Sequence, residues 1–348
     1  MKKIVALVLA MVLGISMIGC SSNNSVATVN GEGIPLEYYK IYTNWTRLGY
    51  ESSYGFTSST WETEMQDQTT SSNSDSSGTS DKSKSSEKTT YWDNFKSQVL
   101  QAMEQSEVIY QKAKEVKVEP TDKEIQEQVD DFNKSINSNE TTKEQAKKAG
   151  ITDKFLTYIF TRELANSAYQ EYFNKHTKVD DATLKKEYES NKQAYNTVTA
   201  SHILISTKDS DGKELSAKKK AEAKKKAEEV LQKAKNGEDF AKLAKKYSED
   251  TSNAENGGEL GAFTYPQMVE EFSKAAFKLN KCDISDIVET SYGYHIIKVT
   301  DKADTFDAVK NSVKTAVLSN KYSEQVQKLF DDAKIDVNEK ELKSVSYK

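Results

Sequence analysis

"NAENGGELGAFTYPQMVEEF", residues 253–272, sets three glycines within five positions and follows them with the large apolar side chains Leu260, Phe263, Met268 and Phe272. Three readings compete for it: a phosphate-binding loop, a core element, and a pocket for an apolar ligand. A phosphate loop needs a strand before it and a helix N-terminus after it, so that backbone amides face the anion. Here Phe240, Leu243, Ala244 and Tyr247, at i, i+3, i+4 and i+7, put a helix before the glycines, and no lysine-plus-hydroxyl pair follows them. The phosphate reading fails, leaving core packing and an apolar pocket.

Working outward, "TVTASHILIST" (197–207) is apolar and β-rich, as a buried strand should be. In "SAKKKAEAKKKAEEVLQKAKNG" (216–237), Ala223, Ala227, Val230, Leu231 and Ala234 mark one helical face, and Gly237 suits a C-cap. Interleaved glutamates make its lysine run a solvated face rather than a nucleic-acid surface. Beyond the glycines a third helix carries Met268, Phe272, Ala276 and Leu279. "ISDIVET" (284–290) and "YGYHIIKVT" (292–300) then read as two strands about a Ser-Tyr-Gly turn. The expected order is strand, helix, helix, helix, strand, strand.

The flanks are helical. Residues 26–45 offer an Asn30-Gly31 hairpin signal and then a helical pattern. Phe95, Val99, Met103 and Tyr110 recur at helical spacing, and Thr121 with Glu124 forms a capping box. Phe155, Ile159, Leu164, Ala168 and Tyr172 make a further stripe suited to helix–helix packing, and a last amphipathic helix is expected from about Thr305 to Asp332. Residues 51–90 are about half serine and threonine, too poor in large apolar groups to offset the entropy of ordering. Most of that stretch is expected to be a disordered insertion.

Lys2 and Lys3 precede an apolar run from Ile4 to Ile18, too short to span a bilayer and shaped as a secretory signal. "MIGC" (17–20) resembles a bacterial lipobox, with Met17 in place of the usual leucine, so Cys20 is expected to carry lipid. Only Cys282 then remains, and no intramolecular disulfide is available. The net charge of -5 on 348 residues excludes a dominant attraction to nucleic acid. Two candidate histidines on distant strands are weak grounds for a metal site, and neither metal nor cofactor is expected.

Residues 197–301 resemble a parvulin-type peptidyl-prolyl isomerase domain in "ASHILI", "FAKLAKKYSED", "NGGELGAF", "MVEEFSKAAFKL" and "YGYHIIKV". With the lipoprotein signal and helical flanks, the chain resembles the PrsA-type foldase lipoproteins of Gram-positive bacteria. The resemblance implies an α+β fold, a parvulin domain (a small antiparallel sheet with helices) inserted in a mainly α-helical chaperone domain. The expected divisions are a signal peptide at 1–20, a helical part at 21–196 with the insertion at about 51–90, the parvulin domain at 197–301, and a C-terminal helix at 302–348 completing the helical domain. The Ser/Thr-rich insertion is not a feature of that family.

By the resemblance, Leu260, Phe263, Met268 and Phe272 surround a substrate proline ring, and the glycines let the chain turn tightly enough for them to converge. His202 and His295 match the family's paired histidines, and Asp250 falls where parvulins carry aspartate or cysteine. Thr290 matches a hydroxyl residue of the same network, and Tyr292 sits where a small or polar residue is usual. His176 matches nothing, and Cys282 stands where the family commonly has a turn glycine. The implied activity is cis–trans isomerisation of X–Pro bonds in unfolded or partly folded secreted polypeptides, without strict preference for phosphorylated residues, on the extracytoplasmic face of the cell membrane. The lipid on Cys20 is the expected anchor, nucleic acid is not an expected partner, and a homodimer stays open. The competing reading is a holdase with an inactive parvulin module. A solute-binding lipoprotein would need two α/β lobes, and only one short β-rich segment exists.

Overall fold

The computed structural model describes residues 24–65 and 89–347. Cys20 and residues 66–88 of the Ser/Thr-rich stretch lie outside the described residues. The described residues form two compact units, one made of those up to His176 together with those from Tyr322 onward, the other of Thr177–Lys321. The second is wider than the 197–301 segment, because short helices before the sheet and the start of a long one after it pack with each other.

The first unit opens with β1 (Ser25–Val29) and β2 (Glu32–Pro35), an antiparallel hairpin across the expected Asn30-Gly31 turn. α1 (Leu36–Tyr54), α2 (Ser58–Glu62) and α3 (Tyr91–Glu115) follow. The disorder expected from residue 51 does not hold up to residue 65: α1 runs on to Tyr54, and a Thr57/Thr60 capping box starts α2. The cause is Trp61, the one tryptophan in that stretch. It is 1 % exposed, packs against Phe56 and Phe95, and donates its ring N–H to Glu51 at 3.0 Å. One large apolar side chain suffices to order a short segment that composition alone reads as loose. α4 (Asp122–Asn137) begins at the Thr121–Glu124 box, and α5 (Glu140–Ala149) and α6 (Asp153–His176) complete this part. On α6 the deepest residues are Phe155, Leu156, Ala165 and Tyr169. The face is thus turned by about one residue from the expected Leu164 and Ala168, since apolar and polar residues are mixed around this helix and leave no single stripe.

In the second unit α7 (Asp181–Ser190) and α8 (Lys192–Tyr195) lead into β3 (Thr197–Ser206). α9 (Ala217–Lys235) and α10 (Phe240–Tyr247) come next, then β4 (Glu259–Thr264), α11 (Glu270–Ala276), β5 (Val288–Thr290), β6 (Gly293–Ala303) and α12 (Phe306–Asp331). The sheet is antiparallel in the order β4-β3-β6-β5. Strand β4 was not expected, because its sequence, "ELGAFT", keeps a glycine where a strand prefers branched residues. α9 and α10 cover one face through Ala227, Val230, Leu231, Phe240 and Leu243 against Ile203, Ile205, Tyr294 and Ile296. On the other face Phe272 and Ala276 of α11 pack on Val198, Ala200, Phe263, Ile297 and Val299. Leu184 and Tyr188 of α7 bury against Val309, Val313 and Val317 of α12.

Residues 322–347 return to the first unit. Rather than helix alone they add β7 (Ile335–Val337), paired antiparallel with β1, and α13 (Glu339–Ser344). Cys282 is exposed and holds a left-handed φ of 75°, the conformation for which glycine is the usual residue.

Candidate active site

Antiparallel register puts both histidines on one face of the sheet. His202 on β3 stands opposite Ile297, and His295 on β6 opposite Leu204, so the two imidazoles are diagonal neighbours. Their rings lie 5.3 Å apart and nearly parallel at 18°, with Nδ1 to Nδ1 at 3.1 Å. Phe272 turns its ring on edge to both. Asp250 reaches them because the end of α10 is pinned to β3. Leu204 N–H donates to Ser248 Oγ at 3.1 Å, and Glu249 N–H donates to the Leu204 carbonyl at 2.7 Å. Asp250 Oδ2 then lies 2.9 Å from His202 Nε2.

Two glycines make the approach of the following loop feasible. Gly258 has φ 74°, and its carbonyl accepts His202 N–H at 2.8 Å; a Cβ there would collide with the His202 carbonyl oxygen. Gly261, at φ 70°, sits at a bulge where β4 loses register with β3, Ser201 pairing with Glu259 and Ala200 with Gly261. The bulge leaves Leu260 unpaired and frees it to turn toward the same side as Phe263.

Proton donors and acceptors fall into one direction. An ionised carboxylate only accepts, so His202 donates from Nε2 and presents a bare Nδ1. His295 therefore donates from Nδ1, and its Nε2 accepts the Thr290 hydroxyl at 2.9 Å. Thr290 Oγ1 in turn accepts Tyr292 N–H at 3.0 Å. The resulting chain, Tyr292 to Thr290 to His295 to His202 to Asp250, is satisfied with both imidazoles neutral. Burial lowers the pKa of His202, outweighing the opposing pull of Asp250. Burial, with the neighbouring His202, lowers His295 to about 4. For Asp250, burial raises the pKa, but hydrogen bonds from Ser252 and His202 leave it below the usual carboxylate value.

The network forms one wall of a cavity of about 420 Å³. Leu260, Met268 and Phe272 give it apolar sides, and Leu204, Gln267, Val269, Glu249 and Thr251, none of them singled out from sequence, also line it. Tyr292 stands at the rim, 55 % exposed. Phe263 and Thr290 do not line the cavity: Phe263 packs behind Phe272, and Thr290 is buried behind His295. His176 lies outside the site on α6, stacked on Tyr172.

A family model described as PPIC-type PPIASE domain matches residues 183–303. Fold and site together are those of a parvulin-type peptidyl-prolyl cis–trans isomerase. A foldase protein PrsA from Caldanaerobacter subterraneus subsp. tengcongensis is 33 % identical over 344 residues, spanning 95 % of this chain and 94 % of that one. A second, from Clostridium tetani, is 35 % identical over 257 residues, 72 % of this chain and 71 % of its own. The crystal structure of foldase protein PrsA from Streptococcus pneumoniae covers 71 % of this chain and 83 % of its own at 27 % identity, with a TM-score of 0.40. The chain belongs to the PrsA foldase family.

Both folded-state histidine pKa values lie below the ordinary 6.5. Below that pH the unfolded chain therefore takes up protons that the folded chain refuses. Stability is complete above about pH 6.5 and falls as pH drops toward 4, by at most about 1.4 kcal/mol per pH unit for each histidine. Urea unfolding between pH 7 and 4.5 should show this slope, and a His295→Asn variant a shallower one. Equal slopes would place the titrating group elsewhere.

Proposed function

We propose that this chain is a lipid-anchored extracytoplasmic foldase whose second unit accelerates cis–trans isomerisation of X–Pro bonds in exported proteins as they fold. The observation that carries the reading is the meeting, in one cavity, of an apolar wall of Leu260, Met268 and Phe272 with the hydrogen-bond chain ending at Asp250. The family membership supports it.

Amide resonance opposes rotation about an X–Pro bond with a barrier of about 18–20 kcal/mol, so the uncatalysed step takes tens to hundreds of seconds. Resonance places negative charge on the amide oxygen, and twisting the bond returns that charge to nitrogen. An apolar cavity that holds the proline ring favours the less polar, twisted amide. The Asp250 carboxylate beside the amide oxygen disfavours the charge-separated planar form. Both interactions are stronger in the transition state than in the ground state, which is what acceleration requires. No covalent intermediate is needed. His202, His295 and Thr290 hold Asp250 and the cavity wall in shape, and Phe263 backs Phe272. Asp250 opposes a phosphorylated residue before proline, so unmodified segments of unfolded chains are the substrates. The helical unit, residues 21–176 with the C-terminal part, serves as the chaperone portion that keeps such chains at hand.

The anchor rests on the lipobox at Cys20, after a signal at 1–20. No helix among the described residues is long and apolar enough to cross a membrane. Labelled palmitate fed to an expressing Gram-positive host should enter the wild-type chain and not Cys20→Ser, which should appear in the medium. Label retained by Cys20→Ser would overturn the anchor.

For the catalytic reading, the full chain should speed cis–trans relaxation of an X–Pro test peptide, and Asp250→Ala should lose about 10²-fold in kcat/KM. Absence of acceleration by a folded wild type would make the chain a holdase.

A further inference from the structure

We propose that Asn253 is a positioning residue of the isomerase reaction, holding the Asp250 carboxylate in the one orientation that fixes the His202 tautomer; this rests on the catalytic reading above. Asn253 is 8 % exposed and lies midway along the loop between α10 and β4. Its Nδ2 donates to Asp250 Oδ2 at 2.8 Å and stands 3.2 Å from His202 Nε2. The opposite amide orientation would set the Asn253 carbonyl oxygen against Asp250 Oδ2 at 2.8 Å, two acceptors facing each other, so the charge on Asp250 decides which way the amide faces.

Asp250 is thereby saturated from four sides. Oδ1 accepts Ser252 N–H at 3.1 Å and the Ser252 hydroxyl at 2.6 Å. Oδ2 accepts His202 and Asn253. A carboxylate held only by Ser252 and one imidazole could tilt its plane about the Cβ–Cγ bond and lengthen its contact with His202. The Asn253 amide removes that freedom. It does so at a cost, since its own Oδ1 is buried without a hydrogen-bond partner among the described residues.

The backbone of the same residue ties the rest of the site to this pair. The Asn253 carbonyl accepts the amides of Asn256 at 2.9 Å and Gly258 at 3.0 Å, and the Gly258 carbonyl accepts His202 N–H. Asn253 thus sets the Asp250 carboxylate from one side and the loop against the His202 backbone from the other.

The test measures kcat and KM of the full chain on an X–Pro test peptide from pH 8 to 6, for wild type, Asn253→Ala, Asn253→Asp and Asp250→Ala, with thermal unfolding as the folding control. Asn253→Ala should lose about 10-fold in kcat with KM little changed, because one charge-assisted hydrogen bond is lost and the proline pocket is untouched. Asn253→Asp should be slow at pH 8 and recover several-fold toward pH 6. Two carboxylates this close share a proton, and the protonated one again donates to Asp250. A packing role alone would leave the two variants equally slow at every pH. If Asn253→Ala does not fold, Asn253→Asp compared with itself across this range decides the matter. Overturning results are a flat Asn253→Asp profile, or Asn253→Ala at wild-type rate while Asp250→Ala is slow. An inactive wild type, or Asp250→Ala as fast as wild type, overturns this role together with the catalytic reading.

Discussion

The pairing of β3 with β6 is the constraint on which the second unit rests. Side chains on paired strands alternate between faces with a period of two, so one register sends Ile203, Ile205, Tyr294 and Ile296 beneath α9 and α10. The same register leaves His202, Leu204 and His295 facing the cavity. A slip of one residue would place imidazoles among the valines and leucines of the helix-covered core and expose isoleucines in their place. Hydrophobic burial on one face therefore fixes the polar geometry on the other.

Dry surroundings then set the chemistry. Burial of both imidazoles disfavours their charged forms, and the only charge the network keeps is on Asp250, where hydrogen bonds from Ser252, His202 and Asn253 repay its partial burial. The proposed mechanism asks for no nucleophile and no proton transfer to the substrate. The site offers an apolar surface and one oriented negative charge, which suits a reaction that only redistributes charge within an amide.

What was legible in the sequence was what periodicity and motif spacing encode. The hairpin at Asn30-Gly31, the capping box at Thr121, the lysine-rich α9 and the helical stripe of α10 all appear where the residues place them. His202, Asp250 and His295, 48 and 93 residues apart along the chain from the first, were legible only through the resemblance, and they meet where β3, the loop after α10 and β6 come together. The failures have local causes. β4 hid in glycines that serve a bulge, and α2 hid in serines and threonines around one buried tryptophan. The resemblance set Phe263 around a substrate proline, and here it packs against Phe272, which lines the cavity. Asn253 carried no signal at all. A polar loop residue three positions after an aspartate looks like any turn, and only the fold shows its amide against the carboxylate.

The central claim is that the two imidazoles are neutral and point their protons one way. Nitrogen NMR of the chain labelled at histidine reads this directly, and with only three histidines His176 can be assigned by substitution. At pH 7 the account predicts His202 protonated at Nε2 with Nδ1 bare, and His295 protonated at Nδ1 with Nε2 bare. A doubly protonated ring, or the reverse pair of tautomers, would contradict it.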